Sequence, residues 1–142
     1  VLHCSVILAD NTQAALGPFG QENRNPLDSL RMQQLIPALF QLMGESETQA
    51  LRPEQWPCRY RLDALEPVEG EGINLAHLML GHGGDLAWVE WLVLDDAVLS
   101  GSDPQDWSWP NQEQSWQAQD VDSRIKALFD PADRFSYPGQ AL

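Results

Sequence analysis

The residues best suited to chemistry lie in one short stretch, His77-Leu-Met-Leu-Gly-His82-Gly-Gly-Asp85. Two imidazoles and a carboxylate are ligands that divalent metals accept, and the glycines allow the chain to bring them together. The i, i+5 spacing of the histidines does not place them on one helical face, which needs i and i+4. We therefore expect no catalytic residue, metal or cofactor, and keep a small metal-dependent hydrolase using His77, His82 and Asp85 as the alternative.

A second group of carboxylates surrounds the segment Ser100-Gly101-Ser102. Carboxylate and hydroxyl oxygens on loops suit a hard cation such as Ca²⁺. The Asp-x-Asp-x-Asp-Gly order of a calcium-binding loop is absent, so the pattern favours ordinary turn and helix-capping roles. The residues in question are Asp95, Asp96, Asp103 and Asp106.

The charge of the chain is concentrated in one region. The formal net charge is −13, and residues 62–123 hold thirteen acidic residues but no lysine or arginine. Such a charge argues against binding to nucleic-acid phosphates, which needs a basic patch, and to anionic membrane surfaces. No apolar run approaches the ~18 residues of a membrane span. Five of the six tryptophans lie in the same region: Trp88, Trp91, Trp107, Trp109 and Trp116.

This acidic, tryptophan-rich region predicts a non-catalytic protein-binding module, such as an inhibitor or immunity-like protein, a chaperone or an adaptor. Tryptophan is enriched at interaction hot spots, and carboxylates around it attract lysine and arginine. The expected partner is a basic protein, and the oligomeric state stays open. In the alternative interpretation, the acidity has no role in binding and only keeps the protein soluble. The residues expected to contact the partner are Asp85, Glu90, Trp91, Asp95, Asp96, Asp103, Asp106, Trp107, Trp109 and Trp116.

The first half of the chain predicts one strong helix between two strands. Residues 2–8 are apolar enough for an interior strand, and residues 9–25 are expected to be a loop. A helix over 26–43 should be capped by Asn25, end at Gly44, and be kinked or split at Pro37. Residues 58–64 alternate between apolar and polar side chains, as in a half-exposed strand.

The second half predicts shorter elements. A short helix is expected over 74–80 and a strand over 86–94, followed by a turn at Asp95-Asp96 and a partner strand over 97–100. Trp88 and Trp91, three apart on a strand, should face opposite sides. Residues 101–119 should be irregular, and a helix over 121–129 should be capped by Asp120 or Asp122.

Together these elements predict a single α+β domain over residues 1–142. An antiparallel or mixed sheet of about four strands should pack against the 26–43 helix and the C-terminal helix. A chain of this length buries roughly 70% of its unfolded surface, which is enough for a core without staples. Cys4 and Cys58 are expected to be buried thiols in adjacent core positions. A cytoplasmic location is favoured over a periplasmic or secreted one. A single disulfide in an oxidising compartment is the alternative.

Overall fold

The computed structural model describes residues 1–20, 27–51, 56–67, 70, 72–99 and 114–136. Its elements confirm the predicted α+β class. Two short 3-10 helices cover Leu62–Leu65 and Leu75–Met79. The strands and α-helices, in chain order, are β1 (His3–Ile7), β2 (Gln13–Leu16), β3 (Pro18–Phe19), α1 (Leu30–Gly44), α2 (Ser46–Ala50), β4 (Ile73–Asn74), β5 (Trp88–Val93), α3 (Asp96–Leu99) and α4 (Trp116–Phe129).

The strands form two antiparallel sheets. One has the order β2-β1-β5, and the other pairs β3 with β4. The expectation that residues 9–25 form a loop is therefore wrong for β2 and β3. Asn11 adopts a left-handed backbone conformation, and Leu8 N donates to Thr12 O at 2.9 Å, which reverses the chain directly after β1. This tight turn places β2 beside β1, where Ala14 and Leu16 become buried.

Helix α1 begins at Leu30, four residues later than the predicted start at residue 26. Ser29 is the N-cap, and its hydroxyl accepts from Met32 N at 3.1 Å. Pro37 does not split the helix, which is continuous from Leu30 to Gly44. The reason is local solvation, because Pro37 and Gln33 are both exposed. Water can therefore reach the Gln33 carbonyl that lacks an N–H partner at Pro37.

The predicted strand over 58–64 is wrong, although its pattern of burial is right. Cys58, Tyr60 and Leu62 are buried, whereas the arginines between them are more accessible. The segment instead forms bends that lead into the first 3-10 helix. The backbone N–H groups of Arg59 and Tyr60 donate to the Asp122 carboxylate, at 2.9 and 3.1 Å, which takes the place of a neighbouring strand.

Two further predictions fail at helix starts. The expected strand over 97–100 is replaced by α3, because Asp95 accepts from Ala97 N at 3.0 Å and caps a helix instead of making a hairpin. Helix α4 begins at Trp116 with Ser115 as its N-cap, so Asp120 and Asp122 are not caps and residues 116–119 are helical. The predicted irregular structure over 101–113 lies outside the described residues.

One hydrophobic core joins the sheet to the helices. On β1, Cys4 and Val6 point into this core, as do Ala14 and Leu16 on β2. Helix α1 contributes Leu35, and α4 contacts α1 directly. The core therefore covers one side of the three-stranded sheet, and the alternate side chains of β1 point to the opposite side.

Within the described residues, no helix combines the length and apolarity needed to cross a membrane.

Candidate binding surface on the outer sheet face

A β-bulge determines where the tryptophans of β5 point. Val6 pairs with Val89 and Ser5 pairs with Trp91, so Glu90 is the extra residue in β5. A bulge of one residue reverses the alternation of the side chains beyond it. Trp88 and Trp91 therefore lie on the same side of the sheet. The prediction that they face opposite sides is wrong for this reason.

We call the side of the three-stranded sheet that points away from the core the outer sheet face. Directly paired residues share a face, so the register assigns its members. Trp88 is 66% exposed, Trp91 51% and Val93 42%, and exposed apolar groups in such a cluster are typical of interaction sites. The outer sheet face consists of His3, Ser5, Ile7, Gln13, Ala15, Trp88, Glu90, Trp91 and Val93.

Glu90 holds a fixed negative charge in the middle of this face. Its Oε2 accepts from Ser5 Oγ at 2.8 Å and from Gln13 Nε2 at 2.6 Å, so the side chain reaches from β5 across β1 to β2. Ser5 becomes buried under this arrangement, with 3% exposure. A carboxylate on the same face as two exposed indoles is an arrangement that a cationic side chain can meet by charge and by cation–π contact.

A groove continues the outer sheet face at one end. It has a volume of about 460 Å³, and Trp91 and Val93 form one wall. His3 lies directly against Gly17, where a Cβ would clash with the imidazole ring. Asp28 contributes a carboxylate to the lining. The remaining lining residues are Ala15, Leu16, Pro18, Phe19, Leu27 and Leu75.

The predicted contact residues divide into groups. Glu90, Trp91 and Asp95 are exposed and lie on or just after β5, and Asp96 is exposed in the first turn of α3. Trp116 is 75% exposed, but it is the first residue of helix α4 and does not belong to the outer sheet face. Four further residues of the predicted set lie outside the described residues: Asp103, Asp106, Trp107 and Trp109.

Asp85 does not belong to the exposed surface that was predicted for it. Its exposure is 3%, and its Oδ2 receives Arg59 Nη2 at 2.8 Å and Arg59 Nε at 3.0 Å. Tyr60 Oη also donates to this carboxylate, at 3.3 Å. The charge of Asp85 is therefore directed inward and paired, so we remove Asp85 from the candidate surface.

Asp85 instead belongs to a group that we call the buried polar cluster. Lys126 Nζ donates to Asp85 O at 2.8 Å and to Asp130 Oδ2 at 2.6 Å. Burial raises the pKa of Asp122, and this effect outweighs the lowering by the hydrogen bonds that its carboxylate accepts from the backbone. Burial also acts on Asp130, but hydrogen bonds from Arg134 N and Lys126 hold its pKa below the usual value. The cluster consists of Arg59, Tyr60, Asp85, Asp122, Lys126 and Asp130.

A smaller pocket of about 220 Å³ lies beside the buried polar cluster, next to Gln114 and Ser123. Its charged side chains already form hydrogen bonds with other groups of the protein. Asp122 accepts from Gln114 Nε2 at 2.9 Å as well as from two backbone N–H groups, and Lys126 is bonded to Asp85 and Asp130. These side chains stabilise the junction of α4 with the 56–65 segment, so the pocket is a weaker candidate than the outer sheet face.

The histidine motif does not form a metal centre in the described part of the chain. His77 Nε2 lies 3.0 Å from Val1 O, and His82 Nδ1 accepts from Gly84 N at 3.2 Å. Among the described residues no three His, Cys, Asp or Glu side chains converge as metal ligands. Asp85, the third member, is held by Arg59. The spacing was compatible with convergence, but these local contacts direct the groups elsewhere.

The two cysteines are buried free thiols, as expected. Burial raises the pKa of Cys4 to about 11 and that of Cys58 to about 12. Thiols in this state are poor nucleophiles at neutral pH. They therefore pack as small apolar side chains and add no chemistry to the candidate surface.

Sequence reasoning missed the residues of the buried polar cluster. The alternation over 58–64 predicts Arg59 on the exposed side of a strand, Asp122 is predicted as a candidate helix cap, and no role is predicted for Lys126. One signal was available, because Lys126 and Asp130 stand at i, i+4 on a helix. Nothing in the sequence indicated that this pair would be buried.

No protein-family model, curated protein or solved structure matches this chain. The functional argument therefore depends on the geometry of the chain itself.

Proposed function

We propose that this protein is a non-catalytic binding module that engages a basic protein partner through the outer sheet face. The observation that carries the proposal is the position of Trp88 and Trp91, which the bulge at Glu90 brings to one exposed side. Indoles contribute large contact areas at little cost in conformational entropy. A second copy of the protein is a poorer occupant, since a net charge of −13 repels another copy.

The charges around the tryptophans support a cationic partner. Glu90 is fixed on the same face as the indoles, Asp28 lines the adjoining groove, and Asp95 follows β5. These carboxylates would accelerate the approach of a basic protein and select against an acidic one. The indoles would supply most of the affinity, because they can be desolvated on binding whereas exposed carboxylates at the rim contribute little.

The first experiment captures partners from an extract of the source cells with tagged protein, in parallel for wild type and two variants. The double variant Trp88→Ala/Trp91→Ala removes both indoles of the proposed surface. Leu30→Ala is the matched control, because Leu30 is 71% exposed on helix α1. The proposal requires a basic protein that the double variant loses, that Leu30→Ala retains, and that a high salt concentration releases.

The same experiment can reject the proposal. An acidic partner, or one that the double variant binds as well as wild type does, would contradict it. The carboxylates are tested with Glu90→Gln/Asp95→Asn, which keeps acceptor oxygens for Ser5 Oγ and Ala97 N. This variant should bind more slowly at low salt and approach the wild-type rate as salt rises.

A further inference from the structure

Strand β5 is an edge of the three-stranded sheet. Within the described residues it pairs with β1 alone, so the backbone groups on its other side meet no described strand. An edge strand presents a row of N–H and C=O groups that another extended chain can pair with. The six residues Trp88–Val93 are long enough to pair with a peptide over two or three hydrogen-bonded positions.

Strand β5 lacks most of the devices that protect such edges. Its sequence, Trp-Val-Glu-Trp-Leu-Val, contains no lysine, proline or glycine. Glu90 is its one charged residue, and its carboxylate is bonded to Ser5 and Gln13 across the sheet, so it points away from the free edge. Natural proteins block exposed edges with lysine, proline, a β-bulge or a covering element. Strand β5 has the bulge at Glu90, but it has no lysine or proline, and no described strand pairs with its free edge. Such an edge fits a strand that receives a partner.

We infer that β5 accepts an extended basic segment of the partner as an additional strand, whose arginine or lysine side chains lie over Trp88 and Trp91. This inference rests on the proposed function and names the class of ligand. Alternate residues of an added strand point to the outer sheet face, where the two indoles can receive cations by cation–π contact. The other residues point toward the side of Leu92, which is 50% exposed and apolar.

Charge decides between this occupant and a second copy of the chain. Pairing β5 with β5 of another copy would bring together two chains that each carry a formal net charge of −13, and neither copy of β5 has a basic side chain to offset it. Like charges brought together across an interface cost free energy, whereas a basic added strand offsets the negative charge of this chain. The edge therefore favours a basic ligand over self-association.

The test uses a synthetic peptide that alternates arginine with valine, together with two N-methylated forms of it. One form is methylated at every arginine and the other at every valine, so composition and charge are equal. In an extended strand the N–H groups of alternate residues point to opposite edges. One form therefore loses its donors toward β5, and the other loses only donors that face solvent.

We expect the unmodified peptide to bind, one methylated form to bind about tenfold or more weakly, and the other to stay within about threefold. Trp88→Ala/Trp91→Ala should weaken the binding of the unmodified peptide, and Leu30→Ala should leave it unchanged. Equal effects of the two methylated forms, or no binding of the unmodified peptide, would overturn strand addition. The capture experiment would still report separately on the proposed function.

Amide hydrogen exchange supplies an independent readout. In the free protein, alternate amides of Trp88–Val93 should exchange quickly, and the Arg–Val peptide should slow them at least tenfold. Amides of β5 that are all protected before the peptide is added would show an edge already occupied and overturn the inference. A sedimentation mass of two chains that the peptide does not reduce would assign the edge to a second copy, with the same consequence.

Discussion

The buried polar cluster and the outer sheet face reverse the usual distribution of residue types. The cluster places charged groups inside the protein, with Asp85 at 3% and Lys126 at 4% exposure, whereas the face leaves Trp88 at 66% exposure. In the cluster each charge is matched by hydrogen bonds within the protein, so the arrangement is explained by the fold alone. On the outer sheet face the exposed apolar groups have no such explanation among the described residues, and this difference supports the proposal that a partner binds there.

The comparison also separates two kinds of carboxylate. Asp122 and Asp130 hold backbone segments together through hydrogen bonds, and they have no accessible charge to offer. Glu90 and Asp95 also accept hydrogen bonds within the protein, but they are exposed, so their charge is accessible to a partner. The sequence places both kinds in or beside one acidic region, so a count of charges there overstates the charge available to a partner. The following predictions test this separation.

The largest expected effect on stability comes from Lys126→Met, which leaves the Asp130 carboxylate buried without its cationic partner. Breaking a buried pair costs about 3–5 kcal/mol of unfolding free energy, measured by urea denaturation. The control is Arg61→Met, which removes the more exposed Arg61–Asp63 pair and should cost less than about 1 kcal/mol. Similar losses in the two variants would contradict the distinction between buried and exposed charge.

Asp122→Leu should cost about 2–5 kcal/mol, because the N–H groups of Arg59 and Tyr60 lose their acceptor. Asp120→Leu, on an exposed position of the same helix, should change stability by less than about 0.5 kcal/mol. Asp122→Asn should fall between them, since one acceptor oxygen remains. If Asp122→Leu is as stable as Asp120→Leu, this carboxylate does not organise the 58–64 segment.

The next effect concerns pH. Burial lowers the pKa of His82 below 6.5, a shift that Asp85 opposes and Arg59 assists. The unfolded chain therefore takes up a proton first as the pH falls below 6.5. The stability contributed by neutral His82 is complete above that pH and is lost as the pH falls through the folded-state pKa.

Melting temperatures between pH 7.5 and 4.5 should show this loss in wild type and not in His82→Asn. Asparagine keeps an acceptor for Gly84 N, so the folded structure is retained. His3→Asn, at an exposed position, should behave as wild type does. A profile for His82→Asn that follows wild type throughout would exclude His82 as the source of the pH dependence.

The smallest effect on stability is expected on the outer sheet face. Trp88→Ala/Trp91→Ala should change the free energy of unfolding by less than about 1 kcal/mol, measured by circular dichroism during urea denaturation. Leu39→Ala, at 0% exposure in the core, should cost about 2–5 kcal/mol. A loss for the tryptophan variant that matches Leu39→Ala would assign the indoles to the fold and remove the argument for a binding surface.

Local patterns in the sequence were sufficient for β1, α1 and β5, whose apolar stripes are long and unambiguous. They failed where a distant side chain replaced a local partner. The segment 58–64 has the alternation of a strand, but Asp122, more than sixty positions away, accepts the backbone hydrogen bonds of Arg59 and Tyr60. The acidic tryptophan region was visible as composition, and which of its members are exposed was not.

The sequence by itself determined the α+β class, the burial of both cysteines and the concentration of negative charge in residues 62–123. These properties follow from composition and short-range periodicity. The tertiary structure alone decided that Trp88 and Trp91 share a face and that Asp85 is internal. The reason is physical: side-chain direction in a sheet depends on register, and the burial of a charge depends on a partner that folding brings from elsewhere in the chain.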